Sequence, residues 1–345
     1  MTEETGPART VDRPSLADWE DAVRFAVRAP SIHNTQPWRW VLARDGLSLY
    51  ADRRRQLAAA DPDGRGLLLS CGGALELARL RLAAAGWETD VQRVPDRDRP
   101  DLLARVRVTG RRNPDPLTLE RARAAERRHT ERRPFRPDPV PAELLDRLST
   151  AAAGEDVYAF PVVQSDQRVD LAVVMSWADR VEAEDAAYRA ELSHWVGPEA
   201  EAAGEGVPAS AVPHVSPDRP RHTEVPVRDF EAGARGEQDV AGDVDEQPAY
   251  LVLLSTADDA EARLRAGEAY VRVSIEAERL GLASSAMTQA VDLPAVRERF
   301  RTLMDWPDHP QMVLRVGWPP AEPLAPSTPR RPLSAILVVQ AQPEG

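Results

Sequence analysis

Two stretches of this chain repeat one pattern, and that repeat limits the folds available to it. The first runs Gly72-Gly-Ala-Leu-Glu-Leu-Ala-Arg-Leu-Arg-Leu-Ala-Ala-Ala-Gly86-Trp and the second Gly267-Glu-Ala-Tyr-Val-Arg-Val-Ser-Ile-Glu-Ala-Glu-Arg-Leu-Gly281-Leu. Gly72, Ala74 and Gly86 match Gly267, Ala269 and Gly281 at identical spacing. Each stretch reads as a long apolar helix closed by glycine, with a strand before it and another after it. The expected class is α+β, built from two copies of one α/β/α unit, residues 1–114 and 115–345, in a single chain. Two copies in one chain form internally what a homodimer forms between subunits. The chain is therefore expected to be a monomer acting as an internal pseudo-dimer, or a weak homodimer.

The stretch Ala29-Pro-Ser-Ile-His-Asn-Thr-Gln-Pro-Trp-Arg-Trp40 is where function concentrates. An amphipathic helix opened by Ser15 and Asp18 leads into it, and an apolar strand, 38–42, leads out. Between them stand Ser31, His33, Asn34, Thr35 and Gln36. Helix capping accounts for one or two such residues, not for five, whereas a rigidly held polar turn suits a ligand. Trp38 and Trp40 alternate with Arg39 and are expected in the core.

Further along, 64–85 reads as a helix buried on most sides, 114–133 as an arginine-rich helix, 141–153 and 165–193 as helices, and 333–339 as a docked apolar end. From 196 to 247 the chain is rich in Gly, Pro, Glu and Asp and has little periodicity. A segment of that length is expected to be a lid or disordered. His194-Trp195 stands at its start, either over the site or as an anchor.

Composition excludes several chemistries. The net charge of −12 argues against general nucleic-acid binding. All 44 basic residues are arginine, so a lysine Schiff base and a P-loop lysine are ruled out. The single cysteine, Cys71, lies in an apolar helix and reads as a buried structural thiol. No run of about eighteen apolar residues exists, so no membrane span is expected. The first residues have neither a basic n-region nor an apolar h-region, and the expected setting is cytoplasmic. His33 has no second ligand at metal-binding spacing, and no metal site is expected. Arginine islands at 53–55, 121–136 and 330–331 suit a local anion such as phosphate.

These motifs together resemble the nitroreductase superfamily of flavin enzymes. Residues 29–38 are similar to its APSxxNxQPW turn. Arg128-His129-Thr130-Glu131-Arg132-Arg133-Pro-Phe135 is similar to its RxSxRxF segment, with Thr130 in place of serine. Residues 266–286 resemble its helix ending in Leu-Gly-Leu, and Val316-Gly-Trp-Pro319 with Arg330-Arg331-Pro-Leu333 its closing motif. The turn lies in the first half and the arginine segment in the second, as in the mycobacterial Acg-like subgroup, where a duplicated chain mimics the usual dimer.

The resemblance implies FMN as cofactor, with flavin N5 carrying the chemistry and no catalytic side chain assigned. It implies that Arg128, with Arg330 and Arg331, meets the phosphate and that Arg132 sits at the N1/C2=O edge. Ser31 and Asn34 would reach the ring and ribityl, and Met287, Thr288 and Gln289 would face N5. His33, Gln36, His129 and Thr130 complete the implied contact set, His33 either facing the flavin or packing. The implied activity is hydride transfer from NAD(P)H to nitro or quinone-type aromatic acceptors. A second reading is a flavin-sequestering protein whose lid blocks turnover. A hydrolase is the weakest, since Gly-x-Ser-x-Gly is missing.

Overall fold

The computed structural model describes residues 13–214, 224–228, 236–239, 246–321 and 327–340. Parts of the expected lid, 215–223, 229–235 and 240–245, lie outside the described residues.

The first helix, α1 (Leu16–Ala26), begins where Ser15 accepts from the Asp18 amide and the Asp18 carboxylate accepts from the Ser15 amide, a reciprocal capping box. Strands β1 (Trp38–Ala43) and β2 (Gly46–Ala51) form a hairpin. Helix α2 (Arg65–Ala84) follows, then β3 (Trp87–Arg93) and β4 (Leu102–Arg111). Next come α3 (Pro116–Arg127), α4 (Ala142–Ala152) and β5 (Val157–Val162). A long insertion carries α5 (Ser165–Glu184), α6 (Ala186–Trp195), α7 (Pro198–Ala202) and a short parallel pair, β6 (Pro213–His214) with β7 (Gln238–Asp239). The chain then runs through β8 (Ala249–Ser255), α8 (Ala260–Arg279), β9 (Ala283–Ala286), α9 (Gln289–Asp292), α10 (Pro294–Leu303) and β10 (His309–Gly317). It ends in one helical turn, α11 (Leu333–Ile336), and β11 (Leu337–Val339).

The strands form two separate sheets of like order. One runs β11-β1-β2-β4-β3 and the other β5-β8-β10-β9. Apart from β11, which joins β1 in parallel, every neighbouring pair in both is antiparallel. In each sheet a twenty-residue helix, α2 or α8, connects the second strand to the third in chain order. These two helices pack on each other at the centre of the molecule. Small residues at the crossing let the backbones approach closely: a Cβ on Gly72 would lie 2.0 Å from the Leu264 oxygen, and one on Gly267 would lie 2.0 Å from the Leu69 oxygen. Trp38 and Trp40 are fully buried in the core beside α1 and α2. Cys71 is buried there too, and burial pushes its thiol pKa up.

Three elements differ from the sequence reading. The arginine-rich helix stops at Arg127 rather than 133, because residues 128–135 run extended and bridge to β9 through Thr130 and Ser284. The Glu131 amide donates to the Ser284 oxygen at 3.0 Å. The helix expected over 165–193 is broken at Asp185, whose carboxylate accepts from the Ala187 and Tyr188 amides and starts α6. The apolar end is half helical turn and half strand.

Candidate functional site

The turn after α1 is strained and held from several sides. His33, Asn34 and Gln36 have φ of 44°, 54° and 48°, a left-handed region that disfavours L side chains. Such a backbone persists only where its surroundings over-determine it. The Ser70 hydroxyl accepts from the Ile32 amide at 3.2 Å, and the Ser31 hydroxyl from the Gln36 amide at 3.0 Å. The Asn34 side-chain amide donates to the Gly206 oxygen (2.9 Å) and the Pro329 oxygen (3.0 Å). The fully buried Gln36 donates to the Gly204 oxygen (2.8 Å) and accepts from the Arg331 amide (2.9 Å). The turn is thereby stapled to residues 204–206 of the insertion and to the C-terminal segment.

Against this turn lies a cavity of two compartments. One, about 300 Å³, is walled by Arg28, Ser31, Asn34, Arg128, His129, Thr130, Arg132, Thr328 and Arg330, with Val207 and Ala211 from the insertion. The other, about 100 Å³, is walled by Ser31, Ile32, His33, Arg65, Leu69, Ser70, Tyr270, Thr288, Asp292 and Met312, with Arg228 from the insertion. Pro30, Ser31, Thr130 and Arg132 belong to both walls, so the two compartments lie side by side.

The first compartment is strongly positive. Arg330 Nε donates to the Val27 oxygen at 2.7 Å, Arg128 Nη2 to the Arg28 oxygen at 3.2 Å, and Arg28 Nη2 to the Glu126 oxygen at 2.9 Å. Carbonyls of the α1 C-terminus thus position two of the three guanidiniums. Among the described residues none of the three has a carboxylate partner. Burial, then the charges of Arg128 and Arg28, pull Arg330 down to about 9, and burial pulls Arg128 down as well. Arg128 Nε is buried without a hydrogen-bond partner. A cluster of guanidiniums none of which is ion-paired among the described residues, with Glu126 the acidic residue on the same wall, suits a phosphate group.

Arg132 stands between the compartments, where burial draws it down to about 10 against the pull of Tyr270 and Glu131. Burial would raise Glu131, but hydrogen bonds from Arg133, with the His129 ring 3.6 Å away, reverse this and hold it at about 2. In the second compartment, burial and then the charges of Arg228 and Arg132 push His33 well below its ordinary value, so it is neutral at pH 7. Arg228 Nη1 donates to His33 Nε2 at 3.0 Å. A guanidinium only donates, so the His33 ring proton sits on Nδ1. Arg228 Nη2 also meets Glu182 Oε1 at 3.1 Å and Asp292 Oδ2 at 2.6 Å, and the Thr288 hydroxyl donates to Asp292 Oδ2 at 2.7 Å. Burial pushes Glu182 up to about 7 despite Arg228.

Of the residues singled out from sequence, Ser31, His33, Asn34, Arg128, His129, Thr130, Arg132, Thr288 and Arg330 line the cavity. Four others are directed elsewhere. Gln36 is the staple described above, and Arg331 donates to the Gln36 and Ala335 oxygens. Met287 packs in the core of the second sheet, and Gln289 donates to Asp179 Oδ1 at 3.0 Å. His194 is exposed, and Trp195 is buried in the apolar cluster that includes Leu57 and Ala60. Sequence reasoning passed over Arg28, Arg65, Tyr270, Arg228 and Asp292. Tyr270 interrupts an aliphatic helical run and Arg28 adjoins the turn, which are usable signals. Arg228 lies in an aperiodic stretch that gives none.

The fold and cavity define an α+β protein with a strongly positive compartment beside a second, smaller one. Residues 125–318 match the model described as Nitroreductase family, and the chain belongs to that family. It is 38% identical over 327 residues to the Mycobacterium tuberculosis protein named Putative NAD(P)H nitroreductase Rv3131, covering 94% of this chain and 92% of that one. It is 33% identical over 336 residues to Putative NAD(P)H nitroreductase acg of the same species, covering 94% and 96%. A solved nitroreductase with bound FMN from Bacteroides fragilis aligns with 60% of this chain and 92% of its own, at 15% identity and a TM-score of 0.37. Among the described residues no helix is long and apolar enough to cross a membrane.

Proposed function

We propose that this chain binds FMN in the two-compartment cavity and acts as a nitroreductase-like oxidoreductase, taking electrons from NAD(P)H to nitro or quinone-type acceptors. The observation that carries this reading is the Arg28–Arg128–Arg330 cluster without carboxylate partners, joined through Arg132 to a second compartment. The names of the mycobacterial relatives agree with it. When bound, the flavin supplies two-electron redox chemistry. The chain supplies the rest. Arg28, Arg128 and Arg330 hold the phosphate, and burial strengthens each contact. Arg132 offers a fixed cation that favours a more negative ligand. Ser31 and Thr130 present hydroxyls at the junction. Neutral His33 adds a polar face without adding charge.

The chain is read as two copies of one unit, 1–114 and 115–345, with one site. The shared strand order and the reciprocal glycine contacts support this. In the second copy, Arg265 stands two residues before Gly267, as Ser70 stands two before Gly72. Arg265 is ion-paired with Glu155 and Glu261, and Arg272 donates to the Ala151 and Ala152 oxygens. These arginines, engaged with their own half, support the reading that the second copy holds no site of its own and that a single chain completes the one site.

A second reading, sequestration of FMN with little turnover, is favoured by one observation: Val207, Ala211 and Arg228 of the insertion line the cavity. Anaerobic mixing of the FMN-loaded protein with NADH or NADPH separates the two. Rapid bleaching supports turnover. Persistent colour that dithionite removes supports sequestration, and a chain that takes up no FMN contradicts both.

A further inference from the structure

The segment 224–228 enters the fold between two fixed points. Its near end is anchored, with Glu224 paired to Arg168 of α5 and Val225 fully buried in the core of the second sheet. Three residues on, Arg228 reaches the wall of the second compartment. There its guanidinium contacts three elements at once: Glu182 on α5, Asp292 on α9 and His33 in the strained turn. Arg228, Glu182 and Asp292 are all nearly excluded from solvent, at 9%, 6% and 6% side-chain exposure. Glu182 and Asp292 hold the one guanidinium from two different helices, so the arrangement grips the arginine rather than merely satisfying it. The contact to His33 fixes that ring's tautomer and ties the insertion to the motif turn. Arg228 therefore ties two walls of the second compartment, the motif turn and α9, to α5 behind them.

We propose that Arg228 is the latch of the second compartment: it pins segment 224–228 against α5, α9 and the turn, and the contents of the compartment exchange only when the guanidinium leaves its two carboxylates. This rests on the reading of the cavity as an FMN site and adds the step that limits entry and release. The latch is a built-in contact of this chain's insertion and requires no second protein.

Two variants test it from opposite sides. Arg228→Met removes the latch, and the double variant Glu182→Gln/Asp292→Asn keeps the arginine but removes both charges that grip it at unchanged shape. Arg228→Lys restores the charge without the fork and is expected to fall between wild type and Arg228→Met. In FMN-free protein, amide hydrogen exchange over 224–228 is expected to rise in the double variant while exchange in α2 stays as in wild type. In FMN-loaded protein, release followed by the recovery of free-flavin fluorescence is expected to quicken by about tenfold or more in both variants, as when a buried charge pair is truncated. Unchanged exchange over 224–228 in the double variant overturns the latch, whatever the flavin does. Wild-type release rates in variants that still hold FMN overturn it equally. A wild-type protein that takes up no FMN overturns the cofactor reading instead, and the exchange experiment then decides the latch alone.

Discussion

Gly72 and Gly267 answer each other across the central helix pair: each lies against the carbonyl of the residue three places before the other, Leu264 and Leu69, where an added Cβ would stand 2.0 Å from oxygen. Reciprocal contact of this kind is what the proposed internal twofold between the two halves requires. Neither position has room for a methyl group, and the obstacle is backbone rather than a flexible side chain. Gly72→Ala and Gly267→Ala are each expected to destabilise the fold by about 1–3 kcal/mol or more, as overpacking does. Urea unfolding measures this, and a variant as stable as wild type would show that α2 and α8 are not locked at this distance.

The arginine cluster predicts discrimination between flavins. Arg128→Ala and Arg330→Ala are each expected to weaken FMN binding about 10–100-fold, the worth of a charge-assisted hydrogen bond. Riboflavin, which lacks the phosphate, is expected to lose little. Parallel fluorescence titrations with the two flavins check this. Equal losses for both would place the phosphate elsewhere.

The staple formed by Gln36 predicts a stability effect. Gln36→Leu leaves the Gly204 oxygen and the Arg331 amide without their side-chain partner in a buried place. The expected cost is about 1–3 kcal/mol. Limited proteolysis should also cut the insertion near Gly204 sooner than in wild type. A variant with wild-type stability and wild-type cleavage would mean the staple holds nothing.

How much of this was readable beforehand depends on what kind of signal each residue leaves. The polar turn and the arginine segment stood out because residue type and spacing there serve no packing purpose, and the cavity joins them. Gln36 and Asn34 belong to the same motif, yet residue type cannot say whether an amide faces a ligand or a distant backbone carbonyl; both donate to carbonyls of the insertion, and Asn34 does so from the cavity wall. The helix over 114–133 was read too long because its residues favour helix locally, while a bridge from Thr130 to Ser284 at long range draws the chain out straight. Asp185 was likewise missed as a break, although aspartate is a common helix start. Arg228 left no trace, since the insertion has no period from which its direction follows.

Glu131 predicts a pH dependence. Its folded pKa, about 2, lies below the ordinary 4.5. A depressed carboxylate contributes stability above its unfolded value, and that stability is lost as pH falls toward the folded value. The loss is expected between about pH 4.5 and 2 and is on the order of 3 kcal/mol. Denaturation midpoints across that window check it, and Glu131→Gln is expected to flatten the slope. An unchanged slope in the variant would assign the acid sensitivity to other carboxylates.

The central claim is that one chain builds one FMN site from both of its halves. Titration of the purified FMN-free protein with FMN, with native mass spectrometry of the product, tests this most directly. The account predicts saturation at one FMN per chain, lost in Arg128→Ala/Arg330→Ala at concentrations that saturate wild type. Two flavins per chain, or none, would contradict it.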